Sequence, residues 1–315
     1  MQGRSMNGII NLLKPPGMSS HQAVSFARKQ LGIKKIGHTG TLDPGASGVL
    51  PLVVGSATRL SDYVMEHEKT YIAELTLGIS TDTQDAGGAT VELNTNFSIG
   101  LLQFAEAAAE FQGNIWQTPP MASAVKVRGK RLYQWKRENI AVPRKPRRVQ
   151  VYSINIHRIW NGEGDTLRFG SRILLKVVCS KGTYLRTICH DLGAKLGVGG
   201  HMSFLARIQS GPFSTRDAYT LEDIQSLVKQ NNLKFLLPMQ KGLPDWIQVK
   251  VNPLAEERIR HGNFILPGDL IDVPTALTVG DQVVLLGIEG DVLALAEIKR
   301  TDRLICQPFR VFVGG

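Results

Sequence analysis

One carboxylate set among small residues is the first feature with chemical content. In residues 37–48, GHTGTLDPGASG, Asp43 is the only acid, with hydroxyls at Thr39, Thr41 and Ser47 and an imidazole at His38. Four glycines let the backbone approach another group closely or adopt positive φ, and Pro44 biases Asp43 toward an extended or turn conformation. A carboxylate presented on such a loop can act as a nucleophile or as a base. The same Asp-Pro-Gly is also an ordinary surface turn by residue preference. Neither G-x-G-x-x-G nor G-x-x-x-x-G-K-[ST] occurs, and the loop has no lysine for a nucleotide phosphate, so the glycines are not a phosphate cradle of either kind.

The second feature is charge. The formal net charge is +10, yet residues 126–148 alone hold ten Lys or Arg against the single acid Glu138, a net +9. The rest of the chain is close to neutral. Concentration of this kind, interleaved with Tyr133 and Trp135, suits a polyanion, and nucleic acid ranks ahead of membrane phosphates. The segment is expected to be a flexible arm, because Pro143 and Pro146 oppose helix formation. Three cysteines without a C-x-x-C pair fit a reducing cytoplasm rather than a disulfide framework. Adjacent Cys189, His190 and Asp191 lack zinc-ligand spacing, so no metal site is expected. No apolar run approaches membrane-spanning length, and the N-terminus lacks a secretory pattern.

Elements must hold these residues in place. A strand is predicted over 8–13, followed by a helix opened by a Ser19/Gln22 capping box and ending near Gly32. Residues 50–54 form a short continuous apolar strand, and 71–77 alternates, with Tyr71, Ala73, Leu75 and Leu77 on one face. A helix capped by Ser98 is expected to run to Gly113. Further strands are predicted at 149–156 and 173–179. Apolar positions 185, 188, 192 and 196 mark a helix that leaves Tyr184 and Arg186 near its start. Thr220 caps a last helix over 221–230. The stretch 237–244, with Pro238 and Pro244, reads as a linker between units 1–240 and 245–315. The second unit is β-rich, with strands expected at 247–251, 276–279, 282–286, 292–298 and 309–313.

The string GHTGTLDPGASGVLPLVVGSATR at residues 37–59 closely resembles the catalytic motif of the TruB family of tRNA pseudouridine synthases. Other segments similar to that family follow in its order: Gly8 to Ser20 with Lys14-Pro15-Pro16-Gly17, Lys69-Thr70-Tyr71, Thr81-Asp82-Thr83, Gln117-Thr118-Pro119-Pro120, and Gly182-Thr183-Tyr184-Leu185-Arg186-Thr187. The resemblance extends from residue 8 to about 240. It implies an α/β (α+β type) pseudouridine synthase fold, a mixed and mostly antiparallel sheet flanked by helices. The pattern after the linker resembles a small β-barrel-like PUA domain.

By that resemblance the reaction isomerises uridine 55 in the T arm of tRNA, cutting N1–C1′ and making C5–C1′ on a flipped base. No cofactor or metal is implied. Asp43 is the essential carboxylate, Arg186 its cationic partner, and Tyr71 the stacking face for the flipped base. Tyr184 and Leu205 wall the pocket, and His38 touches the surrounding RNA. Lys126, Arg128, Arg144, Lys145, Arg147 and Arg148 are candidates for the RNA backbone. The partner is tRNA, with no membrane, obligate protein partner or guide RNA, and the location is cytoplasmic. Two departures are visible: the family's Leu-Arg-Arg reads Leu205-Ala206-Arg207, and its Tyr-x-x-Ala-Arg reads Tyr133-Gln134-Trp135-Lys136-Arg137. The rival readings are an RNA-binding module without catalysis, a magnesium-dependent phosphotransferase, and a guide-RNA-dependent synthase.

Overall fold

A computed structural model describes residues 6–273, 277–301 and 304–312. Its larger sheet has ten strands, and the main path runs Leu236–Leu237, Gly8–Lys14, Ser47–Val54, Gly200–Ser210, Lys69–Leu77, Arg172–Cys179, Arg147–Trp160 and Gly113–Gln117. Every pairing along it is antiparallel except where Ala206 and Arg207 lie parallel to Ser47 and Gly48. The sheet is therefore mixed and mostly antiparallel, as the resemblance implied.

Lys69–Leu77 buries Tyr71, Ala73, Leu75 and Leu77 as expected while Ile72 and Glu74 stay half-buried, but the alternation fails at its ends, where Lys69, Thr70 and Thr76 are buried as well. Four helices close the buried face into one core, contributing Val24 and Ala27, Phe104, Ile188 and Leu192, and Ile224. The helix Ser20–Leu31 begins at the anticipated capping box, with Gln22 N donating to Ser19 Oγ at 3.2 Å and Ser19 N to Gln22 Oε1 at 2.8 Å. Gly32, at φ +67, ends it in the left-handed region that favours glycine.

Three local expectations are corrected. The helix expected from Ser98 starts at Leu101 behind Gly100 and stops at Ala109, because Ile99–Gly100 is drawn into a ladder with Thr166–Leu167. The strand expected over 149–156 is Arg147–Trp160, its length hidden by irregularities in pairing that break the two-residue alternation. The apparent linker is packed: Met239–Gly242 is a 3-10 turn, and Met239, Gly242 and Leu243 are buried.

After it, five strands order as Leu270–Asp272, Ile247–Val251, Gln282–Leu286, Val292–Arg300 and Ile305–Val311, beside the helix Pro253–Arg260. Of the strand expected at 276–279, Ala276 lies outside the described residues and 277–279 are not strand. The expected 309–313 strand ends at Val311, and Val313 lies outside the described residues.

The two sheets share a core. Val284, Leu286, Val292, Leu295 and Phe312 cluster with Ile9, Val49, Val53, Leu60 and Val64. Ser47–Val54 thus has both faces covered: Leu50, Leu52 and Val54 enter the main core, and Val49 and Val53 meet the second sheet. Double burial explains why this strand reads as a continuous apolar run. A chain ending at Gln240 would expose that second face to water. It is expected to melt well below the full chain and to bind an apolar dye, as calorimetry and dye fluorescence would register. Equal melting temperatures would mean the shared cluster contributes little. Among the described residues, no helix is long and apolar enough to cross a membrane.

Candidate active site

The Asp43 loop is fastened on three sides. Gly48, at φ +114, lies so close to the neighbouring strand that a Cβ there would sit 2.1 Å from Arg207 O, so only glycine fits. Arg207 itself is buried, donating from Nε to Val49 O at 2.7 Å and from Nη2 to Gly40 O at 3.1 Å. Ser20, in the first turn of its helix, exchanges hydrogen bonds with the backbone of Leu42, Oγ donating to Leu42 O at 3.0 Å and accepting from Leu42 N at 2.8 Å. Gly17 N donates to Pro44 O at 2.8 Å. Beneath them the buried Lys14 donates to Pro15 O and Met18 O at 2.9 and 2.7 Å, and reaches Pro44 O at 3.5 Å. Asp43 therefore sits between two anchored neighbours.

Its partner comes from the first turn of the helix Leu185–Lys195. Arg186 Nε lies 3.1 Å from Asp43 Oδ2, and Nη2 donates to Oδ1 at 3.3 Å. The pairing is bidentate, the geometry a guanidinium fork favours. Arg186 is almost fully buried and is held further by Ala122 O at 2.9 Å, Thr83 O at 3.4 Å and Asp85 Oδ2 at 3.2 Å. Burial pushes the Asp43 carboxyl above its ordinary value; Arg186 opposes this, Asp85 adds to it, and Lys14 opposes it. Burial likewise brings Lys14 down to about 8, with Asp43 opposing and Arg207 assisting.

Asp43 borders two cavities. The larger, about 470 Å³, is also lined by Tyr71, Tyr184, Leu205, Lys69 and Arg207. Its volume lies within the range of about 300–1,000 Å³ typical of small-molecule sites. Burial raises the Tyr71 hydroxyl above its usual range, and the neighbouring Arg207 charge works against that. A second cavity of about 320 Å³, lined by Asp85, Gly87, Met202 and Phe204, touches the same Asp43–Arg186 pair and Leu205.

The structure thus gathers Asp43, Arg186, Tyr71, Tyr184 and Leu205 around one cavity. His38 is not among the residues lining it. It ends the short strand Ile36–His38, and its ring is held below its ordinary pKa first by burial, then by the charges of Arg207, His21 and Arg131.

The basic segment departs from a flexible arm. Lys126–Val127 and Lys130–Arg131 pair as a hairpin turned by Arg128 at φ +50 and Gly129 at φ +83, as a type I′ turn requires. The helix Leu132–Arg137 follows, and only residues 138–146 are irregular. Trp135 donates from Nε1 to Val127 O at 3.0 Å, tying helix to hairpin, and Lys130 lies 4.7 Å over its ring. Lys136 pairs with Asp82 at 2.9 Å, and Arg144 donates to Pro119 O at 3.0 Å. Lys126, Arg128, Lys145, Arg147 and Arg148 are exposed, and the last two reach the larger cavity.

Several site residues escaped sequence reasoning. Asp85 closes the Thr81-Asp82-Thr83-Gln84-Asp85 stretch, and a second acid so near a Gly-Gly pair was the available signal. Lys14 of Lys-Pro-Pro-Gly and Gln117 before Thr-Pro-Pro were visible only as parts of motifs.

The TruB family pseudouridylate synthase N-terminal domain matches residues 28–185, and the tRNA pseudouridylate synthase B C-terminal domain matches 186–243. A tRNA pseudouridine synthase B of Alkaliphilus oremlandii is 43% identical over 94% of this chain and 95% of its own. That of Streptococcus gordonii is 42% identical over 98% of this chain and 100% of its own. Among solved structures, a chain in an H/ACA RNP bound to a substrate RNA containing 2′-deoxyuridine aligns with a TM-score of 0.71 at 26% identity, covering 98% of this chain and 85% of that one. A chain of a Cbf5-Nop10-Gar1 complex aligns with a TM-score of 0.71 at 28% identity, with the same coverage. The chain belongs to the TruB family of pseudouridylate synthases, which are isomerases.

Proposed function

We propose that this enzyme converts uridine 55 in the T arm of tRNA to pseudouridine, with Asp43 as the essential carboxylate. The observation that carries the reading is the bidentate Asp43–Arg186 pair bordering a 470 Å³ cavity walled by Tyr71, Tyr184 and Leu205. In the reaction the N1–C1′ bond breaks, the uracil turns, and a C5–C1′ bond forms. Atoms and electrons are conserved, so the step calls for no redox cofactor and no phosphoryl-activating metal.

Asp43 serves as nucleophile toward the sugar or as base, and both roles need the ionised form that the guanidinium favours. The uridine must first leave its stack. An aromatic face such as Tyr71 then replaces stacking worth about 1–3 kcal/mol per base. His38, on the side of Arg131, contacts RNA around the flipped base. Lys126, Arg128, Arg144, Lys145, Arg147 and Arg148 hold its backbone. Residues 1–240 form the catalytic unit, and 245–315 a PUA-like unit that extends the RNA surface.

Relatives named tRNA pseudouridine synthase B, more than 40% identical over nearly the whole chain, support a tRNA substrate taken directly rather than through a guide RNA. Three buried free cysteines suit a reducing cytoplasm. The test is incubation of the protein alone with unmodified tRNA, followed by pseudouridine mapping. Product at position 55 supports the reading. No product, or product only when a guide RNA is added, overturns it.

Counterion release gives the basic segment its own signature. Each phosphate contact removed should flatten the salt dependence of binding by about 0.7–0.9 in log–log slope. Replacing Arg144, Lys145, Arg147 and Arg148 together by Gln is expected to weaken tRNA binding and flatten that slope, leaving the modified position unchanged. Equal slopes for the two proteins would make the segment a merely solvated surface.

A further inference from the structure

We propose that Gln117 is a positioning residue for the Asp43–Arg186 pair, its side-chain amide holding Tyr184 and, through it, the helix turn that carries Arg186. The helix Leu185–Lys195 starts at Tyr184 without a side-chain cap of its own. A residue remote in sequence instead holds the backbone of the N-cap residue itself. Gln117 Oε1 accepts from Tyr184 N at 2.9 Å, and Gln117 Nε2 donates to Tyr184 O at 3.2 Å. This two-point clamp grips the N–H and the C=O of one residue and so fixes the two successive peptide units that meet at the Tyr184 Cα, as a strand partner would. Tyr184 O also accepts the first turn's bond from Ile188 N at 3.1 Å, so the clamp acts at the root of the helix.

Arg186, two residues on, reaches four separate groups: Asp43, Asp85, Thr83 O and Ala122 O. Such a fork tolerates little displacement of its Cα. Ala122 follows Gln117 by five residues, so one stretch of chain supports Arg186 twice, through the backbone at Tyr184 and at the guanidinium. Gln117 is buried at 3% exposure and lies opposite Arg147 in the sheet ladder. The clamp therefore joins the strand bearing Arg147 and Arg148 to the helix bearing Arg186. Thr187 Oγ1 donates to Gln84 Oε1 at 3.0 Å, an attachment of the same helix turn that does not pass through Gln117 and is expected to keep the helix seated when the clamp is removed.

The inference rests on the proposed function, and the test separates the two. Wild type, Gln117→Met and Gln117→Asn are compared in single turnover on an unmodified T-arm stem-loop. Met keeps the length without the amide; Asn keeps the amide but falls one methylene short. Loosening reacting groups by about 1 Å can cost on the order of a hundredfold. Each variant is expected to lose about 10–100-fold in rate with RNA affinity within about twofold of wild type. The acid limb of the pH–rate profile should move upward, because a displaced guanidinium stabilises the Asp43 carboxylate less; a merely structural glutamine would not move it. Should Gln117→Met fail to fold, Gln117→Asn gives the reading. A folded variant with wild-type rate and an unmoved acid limb overturns the proposal while leaving the function intact. An inactive wild type overturns both.

Discussion

Asp43→Asn is expected to lower pseudouridine formation by on the order of a thousandfold or more while leaving tRNA affinity within about threefold. The amide keeps the shape of the carboxylate but has neither its charge nor its nucleophilicity. Folding should survive, because Leu42 and Pro44 remain tied by Ser20 and Gly17, and Arg186 keeps Asp85, Thr83 O and Ala122 O. The sign of the pKa shift supports this. Burial lifts the folded-state value above the unfolded one, so the associated stability is present at low pH and lost as pH rises through the folded value. At neutral pH a neutral amide forfeits none of it, and the melting temperature should be unchanged or slightly higher. Single-turnover mapping with excess enzyme, beside a binding isotherm, reads both quantities. Turnover near wild type would remove Asp43 from the mechanism.

Arg186→Lys has the next largest expected effect. An ammonium keeps the charge but cannot make the bidentate contact to Asp43 while also reaching Asp85. The rate should fall by about two orders of magnitude, in the range seen when one preorganised electrostatic partner is lost. In wild type, with Asp43 as the essential carboxylate, the acid limb of kcat/KM is expected above the ordinary carboxylate range, since burial is the largest influence on Asp43. Weakening its main opposing cation moves that limb higher, so activity disappears at a higher pH than in wild type. An unchanged limb with a reduced rate would mean that Arg186 acts on something other than the ionisation of Asp43.

What the sequence disclosed was local. The capping box at Ser19, the alternation from Tyr71 to Leu75 and the cap at Thr220 are written in residues two or three positions apart, and the structure has them where they were expected. The Asp43 loop announced itself through four glycines around one acid. The second carboxylate did not, because Asp85 meets Arg186 only after folding brings together segments about a hundred residues apart. The 126–131 hairpin was hidden because its turn places Arg128, not the usual Asn or Gly, at positive φ. At 237–244, Pro238 and Pro244 suggested a break, while the burial of Met239 and Leu243 depends on a sheet that lies later in the chain. Residues whose environment is made by distant segments carry no periodic trace.

The clasp of Arg207 bears on how the loop can vary in length. One guanidinium fastens the carbonyls of Gly40 and Val49, so the span of chain between them must close a fixed chord. Adding a single residue would push a side chain into the place of Gly48, against Arg207 O. Deleting one would pull Asp43 off the guanidinium that it shares with Asp85. Insertions should be far better tolerated in an exposed surface turn such as residues 161–165 than anywhere in residues 41–48.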